Sequence, residues 1–362
     1  MSLEDKVAQL FVITPDALTG VSGATISGDI TQSAFDQYPV GGIIYMEPNI
    51  QSWDQTCQML SGMKEISMNR IGLPPFLAVD EEGGSVLRVS GRLENIPYIS
   101  DMYSVGNSGD SLQAYQTGSI IGEYLSRLGF NVDFAPVADV LTNPDNSVIG
   151  RRSFGSDPQL DAEMVTMEVL GMQEQGVCST LKHFPGHGNT VEDSHQGMAV
   201  SYKTLEELYQ CEFLPFQSGI DAGAEFVMVG HIAMPNVTGD STPASLSYKL
   251  LTEILRNDLG FDGIIITDAL GMGAVANYYN SGEAAVKAFL AGSDMLLMPG
   301  DFNTAYYSML DAVNSGIIGM DRLNESIWRI IKLKITLSDD ISNISTPKRS
   351  ENSVSDTAGA WN

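Results

Sequence analysis

Short apolar runs recur along the chain with helix-like stretches between them. In order they are QLFVI (9–13), GGIIYM (41–46), FLAVD (76–80), NVDFAPV (131–137), CSTLKHF (178–184), FVMVGH (226–231), GIIITD (263–268) and DMLLMP (294–299). Their apolar character is nearly continuous rather than alternating, as parallel strands covered on both faces require. The intervening segments include YQTGSIIGEYLSRLG, MVTMEVLGMQEQG, SLSYKLLTEILRNDLG and GEAAVKAFLAG. Each has apolar residues at helical spacing and ends on Gly, the usual residue just past a helix C-terminus. Strands alternating with helices in this number predict an α/β fold, a single (β/α)8 barrel of the TIM type over residues 1–336. The segment 337–362 is rich in Ser, Thr and Asn and reads as a disordered extension or a linker.

Polar chemistry collects where these runs end. Asp80 closes the third run, Lys182 and His183 the fifth, His231 the sixth and Asp268 the seventh. In a barrel those ends share one face, the face on which active sites of this architecture are built. Helix-preceding loops are polar in any case, but titratable groups at so many neighbouring ring positions exceed what loops alone supply.

The stretch LKHFPGHGNTVEDSH (181–195) holds three of the four histidines. His183 and His187 have the spacing that places two imidazoles on one helix face, as in metalloprotease helices. Pro185, Gly186 and Gly188 make the segment a loop instead, so the helical-ligand argument fails and only a loop-built zinc site stays open. Asp193 and His195 allow acid–base work, because a carboxylate near one ring nitrogen fixes the tautomer and raises the basicity of the other. Gly186, Gly188 and Gly197 fit a loop that closes over substrate. Asp268 follows four apolar strand residues. It either caps the next helix or presents a carboxylate nucleophile to an electrophilic carbon. Asp80, Arg88, Arg152 and Lys182 are supporting candidates; Arg151 and Arg152 are adjacent, so only one of them faces a common site in extended chain. Glu81, Glu82, Gly83 and Gly84 read equally well as a turn.

Charge narrows the partners. The chain of 362 residues carries 45 acidic against 19 basic residues, a formal net charge of −26. Such a balance argues against nucleic acid and anionic membrane surfaces, and suits a neutral or cationic partner or plain solubility. No apolar run approaches the roughly 20 residues of a membrane span. Cys57, Cys178 and Cys211 are too few for a disulfide framework and too scattered for zinc, and Cys178 reads as a buried small residue. The N-terminus MSLEDKVAQL lacks a basic and an apolar leader region, so no secretory signal is expected. Compartment stays open, with the acidic chain and polar tail leaning towards an exported or cell-surface mature form.

KHFPGHGNTVEDSH followed by IIITDALGM, with AVDEEGGSVLRV, GFNVDFAPVADV and IGRRSFG upstream, resembles glycoside hydrolase family three, in its β-N-acetylglucosaminidase branch. The resemblance runs in order from about residue 3 to about residue 335. It implies a retaining mechanism on a single barrel, without the second α/β domain that supplies the acid/base in family β-glucosidases. It also implies Asp268 as the nucleophile and Asp193 with His195 as the acid/base dyad. Asp80, Arg152, Lys182 and His183 match residues that bind the terminal sugar, with Arg88 supporting them. His187 is implied to be structural or to support residues that touch the sugar, and His231 to be a barrel-mouth residue of lesser role. Ser85 stands where the family pattern has Arg, which puts that contact in doubt.

The resulting expectation is an exo-acting enzyme that removes terminal β-linked N-acetylglucosamine from a small carbohydrate, an oligosaccharide or muropeptide, with no metal and no organic cofactor. Its rivals are a phosphorylase using phosphate in place of water, a β-glucosidase, a metal-dependent amidohydrolase with His183, His187, His195 and Asp268 as ligands, and a non-catalytic sugar-binding barrel.

Overall fold

The computed structural model describes residues 1–190 and 199–344. Each predicted apolar run holds one parallel strand: β1 (Phe11–Ile13), β2 (Gly42–Ile44), β3 (Phe76–Val79), β4 (Val132–Asp133), β5 (Thr180–Phe184), β6 (Phe226–Val229), β7 (Ile264–Thr267) and β8 (Leu296–Leu297). Pairing runs β8–β1–β2–β3–β4 in one sheet and β5–β6–β7 in another. The register sets Phe11 beside Leu296, Val12 beside Gly42, Gly42 beside Phe76, Ala78 beside Val132, and Thr180 and Ile264 on either side of Phe226. Isolated parallel bridges, Val132–Cys178 and Val137–Lys182 at one edge and Ile266–Met295 at the other, link the two sheets. The order is that of a TIM-type barrel. Almost every residue of the longer strands is buried on both faces, which is why their sequences do not alternate.

The connecting helices begin and end where local chemistry dictates. Helix Ser111–Leu128 starts with the Asp110 side chain accepting from the Leu112 N–H and stops at Gly129, whose φ of 109° is left-handed. Helix Ser281–Ala291 opens with a reciprocal Asn280–Glu283 capping box and stops at Gly292. Helix Pro158–Glu174 packs so closely on Ser111–Leu128 that a Cβ at Gly118 would lie 2.3 Å from the Glu168 carbonyl oxygen. The stretch expected as one helix over 245–260 divides into a short 3-10 turn, Ala244–Leu246, and a π-helix, Lys249–Asp258.

The last helix, Met320–Ile344, closes the end of the barrel from which the strands start. Its Lys334 is fully buried, donates to Gln9 Oε1 at 2.8 Å, and lies 5.0 Å from the Phe76 ring centroid. Asp294, just before β8, takes Arg256 at 2.6 Å, Arg329 at 3.1 Å and Arg322 at 3.6 Å. The helix continues past Leu337, where the polar tail was expected to begin, because Leu337 still packs into the core. The rest of that tail, from residue 345, lies outside the described residues. Among the described residues, no helix is long and apolar enough to cross a membrane.

Candidate active site

At the C-terminal ends of the strands lies a cavity of about 710 Å³, within the usual range of small-molecule sites. Asp80, Glu82, Arg88, Arg152, Lys182, His183, His187 and Asp268 contribute to its wall, with Met46, Met228, Met272 and Met298 among the apolar residues. Three carboxylates, Asp80, Glu82 and Asp268, thus face three cations, Arg88, Arg152 and Lys182, among the described residues. In a chain of charge −26 this described part of the wall is close to balanced.

One buried network fixes most of the polar wall. β3 delivers Asp80 and the two acids after it; β5 delivers Lys182 from a strand whose residues are all buried. The Lys182 ammonium touches Asp80 Oδ1 at 2.8 Å and Glu82 Oε1 at 2.6 Å. Glu82 also takes Arg152 in a two-point contact, Nε to Oε2 at 2.7 Å and Nη2 to Oε1 at 2.8 Å. Burial would raise the Glu82 pKa, but Arg152 and Lys182 outweigh it and hold the carboxyl far below its ordinary range. Burial likewise works against the Lys182 charge, and Asp80 and Glu82 reverse that and push its pKa up. Arg151 turns outward to pair with Asp101 at 2.9 Å, so Arg152 alone of the two faces the cavity. Glu81 points away from it and ties down the chain by accepting from the Arg88, Val89 and Ser90 N–H groups and the Tyr124 hydroxyl.

The histidine wall is organised from behind. Asp139 is fully buried and accepts from the His183 ring at Nδ1 (2.8 Å), from the His183 N–H (3.2 Å) and from the His187 N–H (2.6 Å). Its burial opposes ionisation, but the His183 and His187 contacts carry its pKa below the ordinary value. The His183 and His187 rings meet edge to face at 6.1 Å, and His187 Nδ1 pairs with Thr190 Oγ1 at 2.7 Å. β5 stops at Phe184, and the turn after it needs glycine. Gly186 has a φ of 120°, and a Cβ at Gly188 would sit 2.0 Å from the Val140 carbonyl oxygen. The Lys182–His183 and Phe184–Pro185 peptides are cis. Among the described residues, no group of three or more His, Cys, Asp or Glu is arranged to hold a metal ion.

Asp268 follows the end of β7 and reaches the cavity from the opposite side of the ring. Its backbone N–H is held by the Val229 carbonyl at 2.9 Å, and its Oδ1 accepts from the Ala269 N–H at 2.7 Å. Burial raises its pKa, and His231 leads the surrounding groups that lower it below the ordinary carboxylate value. His231 does not face the cavity. It is buried behind Asp268, between Ser245 Oγ at 2.7 Å and the Ala269 carbonyl at 2.9 Å.

The fold therefore brings Asp80, Arg88, Arg152, Lys182, His183 and Asp268 to one cavity. Asp193 and His195 lie outside the described residues. Glu82 and Asp139 emerge only from the structure. Glu82 was indistinguishable from a turn residue in DEEGG, and Asp139, in APVADV, signalled itself only as an acid directly after an apolar run.

The description "Glycosyl hydrolase family 3 N terminal domain" matches residues 2–333. Beta-hexosaminidase A of Pseudoalteromonas piscicida is 34% identical over 326 residues, covering 83% of this chain and 54% of the relative. Beta-hexosaminidase LpqI of Mycobacterium tuberculosis is 32% identical over 350 residues, covering 92% of this chain and 83% of the relative. Among solved structures, a β-N-acetylglucosaminidase of glycoside hydrolase family 3 from Paenibacillus sp. str. FPU-7 superposes with a TM-score of 0.88 at 34% identity, over 98% of this chain and 66% of that one. The chain belongs to glycosyl hydrolase family 3. It spans about half the length of the Pseudoalteromonas relative and just under two thirds of the Paenibacillus one.

Proposed function

We propose that this chain is a retaining, exo-acting glycoside hydrolase that removes terminal β-linked N-acetylglucosamine. The observation that carries the reading is Asp268. It is an ionised carboxylate at a strand end, in the same cavity as the buried Asp80–Lys182–Glu82–Arg152 network and His183. Groups of both kinds, donating and accepting, suit the hydroxyls of one sugar ring, and a balanced wall suits a neutral ligand. The names of the relatives, β-hexosaminidase and β-N-acetylglucosaminidase, support the acetamido sugar.

In this mechanism Asp268 attacks the anomeric carbon as the bond to the leaving oxygen breaks, forming a covalent glycosyl-enzyme. His195, oriented by Asp193, protonates that oxygen and then takes a proton from the water that releases the sugar. An imidazole spares the site a further anion beside Asp268, which would raise one carboxyl pKa at the expense of the nucleophile. Lys182, Arg152, Asp80 and His183 hold the ring so that the reacting carbon meets Asp268. Arg88 supports that wall.

Asp268→Ala and His195→Ala assayed on aryl β-N-acetylglucosaminides and aryl β-glucosides test the assignment. Asp268→Ala is expected to lose at least about 10³-fold in turnover of the acetamido substrate. His195→Ala is expected to lose about 10²–10⁴-fold with poor leaving groups and much less with very acidic ones, which need little protonation. Undiminished turnover in Asp268→Ala contradicts the mechanism. Product formation that depends on added phosphate would reassign the chain as a phosphorylase on the same barrel.

A further inference from the structure

Asp139 does not line the cavity, yet it makes three hydrogen bonds to the two histidines that do. An ionised carboxylate can only accept, so the His183 nitrogen it touches, Nδ1, carries the proton. On the far side of the same ring, His183 Nε2 lies 3.4 Å from Arg152 Nη2. A guanidinium can only donate, so a protonated Nε2 would meet another donor there. The Arg152 side chain is not free to turn away, because Glu82 holds it at two points and the Val148 carbonyl accepts its Nη1 at 3.1 Å. The two fixed neighbours therefore dictate opposite roles for the two ring nitrogens.

We propose that Asp139 is a positioning residue that fixes His183 as the neutral imidazole with its proton on Nδ1, leaving Nε2 as a hydrogen-bond acceptor for a sugar hydroxyl. The sugar half of this assignment rests on the glycosidase reading above; the tautomer half does not. Lys182 and Arg152 can offer the ligand only hydrogens and Asp80 only lone pairs. A sugar hydroxyl arriving there takes the single Nε2 lone pair in place of the Arg152 contact, donating to His183 and accepting the Nη2 hydrogen that Arg152 then has free. Through the His187 N–H, the same carboxylate pins the turn from which the chain continues towards Asp193 and His195. Orientation of a functional imidazole by a buried carboxylate behind it follows the general logic by which outer partners set tautomer and ring position.

With four histidines in the chain, protein labelled with ¹⁵N-histidine gives a spectrum simple enough to assign by one His183→Gln variant. Long-range ¹H–¹⁵N correlations near neutral pH are expected to show His183 protonated at Nδ1 and bare at Nε2. An Nε2–H tautomer, or a doubly protonated ring, overturns the proposal. In Asp139→Asn, checked for folding by circular dichroism, the His183 pattern is expected to change and KM for an aryl β-N-acetylglucosaminide to rise about 10- to 100-fold, more than kcat falls. An unchanged spectrum with unchanged KM overturns it as well. If Asp139→Asn does not fold, the wild-type spectrum alone decides. A wild-type enzyme with the expected tautomer but no glycosidase activity would refute the proposed function and leave the role of Asp139 standing.

Discussion

Glu82 and Glu168 illustrate how far the same side chain is driven in opposite directions within one neighbourhood. Both are buried. Glu82 meets Lys182 and Arg152 directly and stays ionised. Glu168, on helix Pro158–Glu174, has no hydrogen-bond partner on either carboxyl oxygen among the described residues. Burial, and after it the Glu82 charge, pushes its pKa up to about 8. The consequence for stability has a definite sign. Below the ordinary Glu value of 4.5 both folded and unfolded chains carry the proton, and between 4.5 and about 8 only the folded one does. Stability is therefore present in full below the lower value and is lost as pH rises through the upper one. Glu168→Gln is expected to remove that decline. Urea denaturation should find the variant more stable than wild type by roughly 1–3 kcal/mol at pH 7.5, with little difference at pH 4.5. Parallel stability curves for the two proteins would refute the account of Glu168.

At the scale of elements, the barrel floor depends on one aspartate. Asp294 is fully buried and binds Arg256 of the π-helix together with Arg322, Ser326 and Arg329 of the last helix, while its Oδ2 also accepts from the Ile265 N–H of β7. Removing the carboxylate leaves three cations facing one another with little solvent. Asp294→Ala is expected to cost about 3–5 kcal/mol, and hydrogen exchange should accelerate first in Met320–Ile344. A loss below about 1 kcal/mol with unchanged protection of that helix would show that apolar packing alone docks it.

This clasp was not legible in the sequence, where Asp294 only opens an apolar run; its partners are 28 to 38 positions away and meet it only when the ring forms. The strands, by contrast, were legible because each is buried on both faces and so declares itself within a few residues. Most of the candidate site was legible for a related reason, since Asp80, Lys182, His183 and Asp268 sit at or next to the ends of those strands. Glu82 and Asp139 were not, because their roles depend on contacts to Arg152 and His183, which lie 70 and 44 positions away in the chain. The last helix runs beyond the expected start of the polar tail because its exposed face becomes polar before its buried face stops packing at Leu337.

For the whole molecule, the described wall of the cavity is nearly neutral in a strongly acidic chain. The long-range field repels anions, while among the described residues of the wall Asp80, Glu82 and Asp268 are balanced by Arg88, Arg152 and Lys182, which under the proposed function suits a neutral sugar. Under the proposed function, Asp268 is the residue that bonds the sugar in that cavity. The most direct measurement is covalent trapping: incubation with a 5-fluoro-N-acetylglucosaminyl fluoride, which slows release of a glycosyl-enzyme, followed by peptide mass spectrometry. One fluorosugar per chain is expected, attached to the peptide containing Asp268, with activity returning as the label is lost. Attachment at another residue, or turnover of the reagent with no covalent species at Asp268, would contradict it.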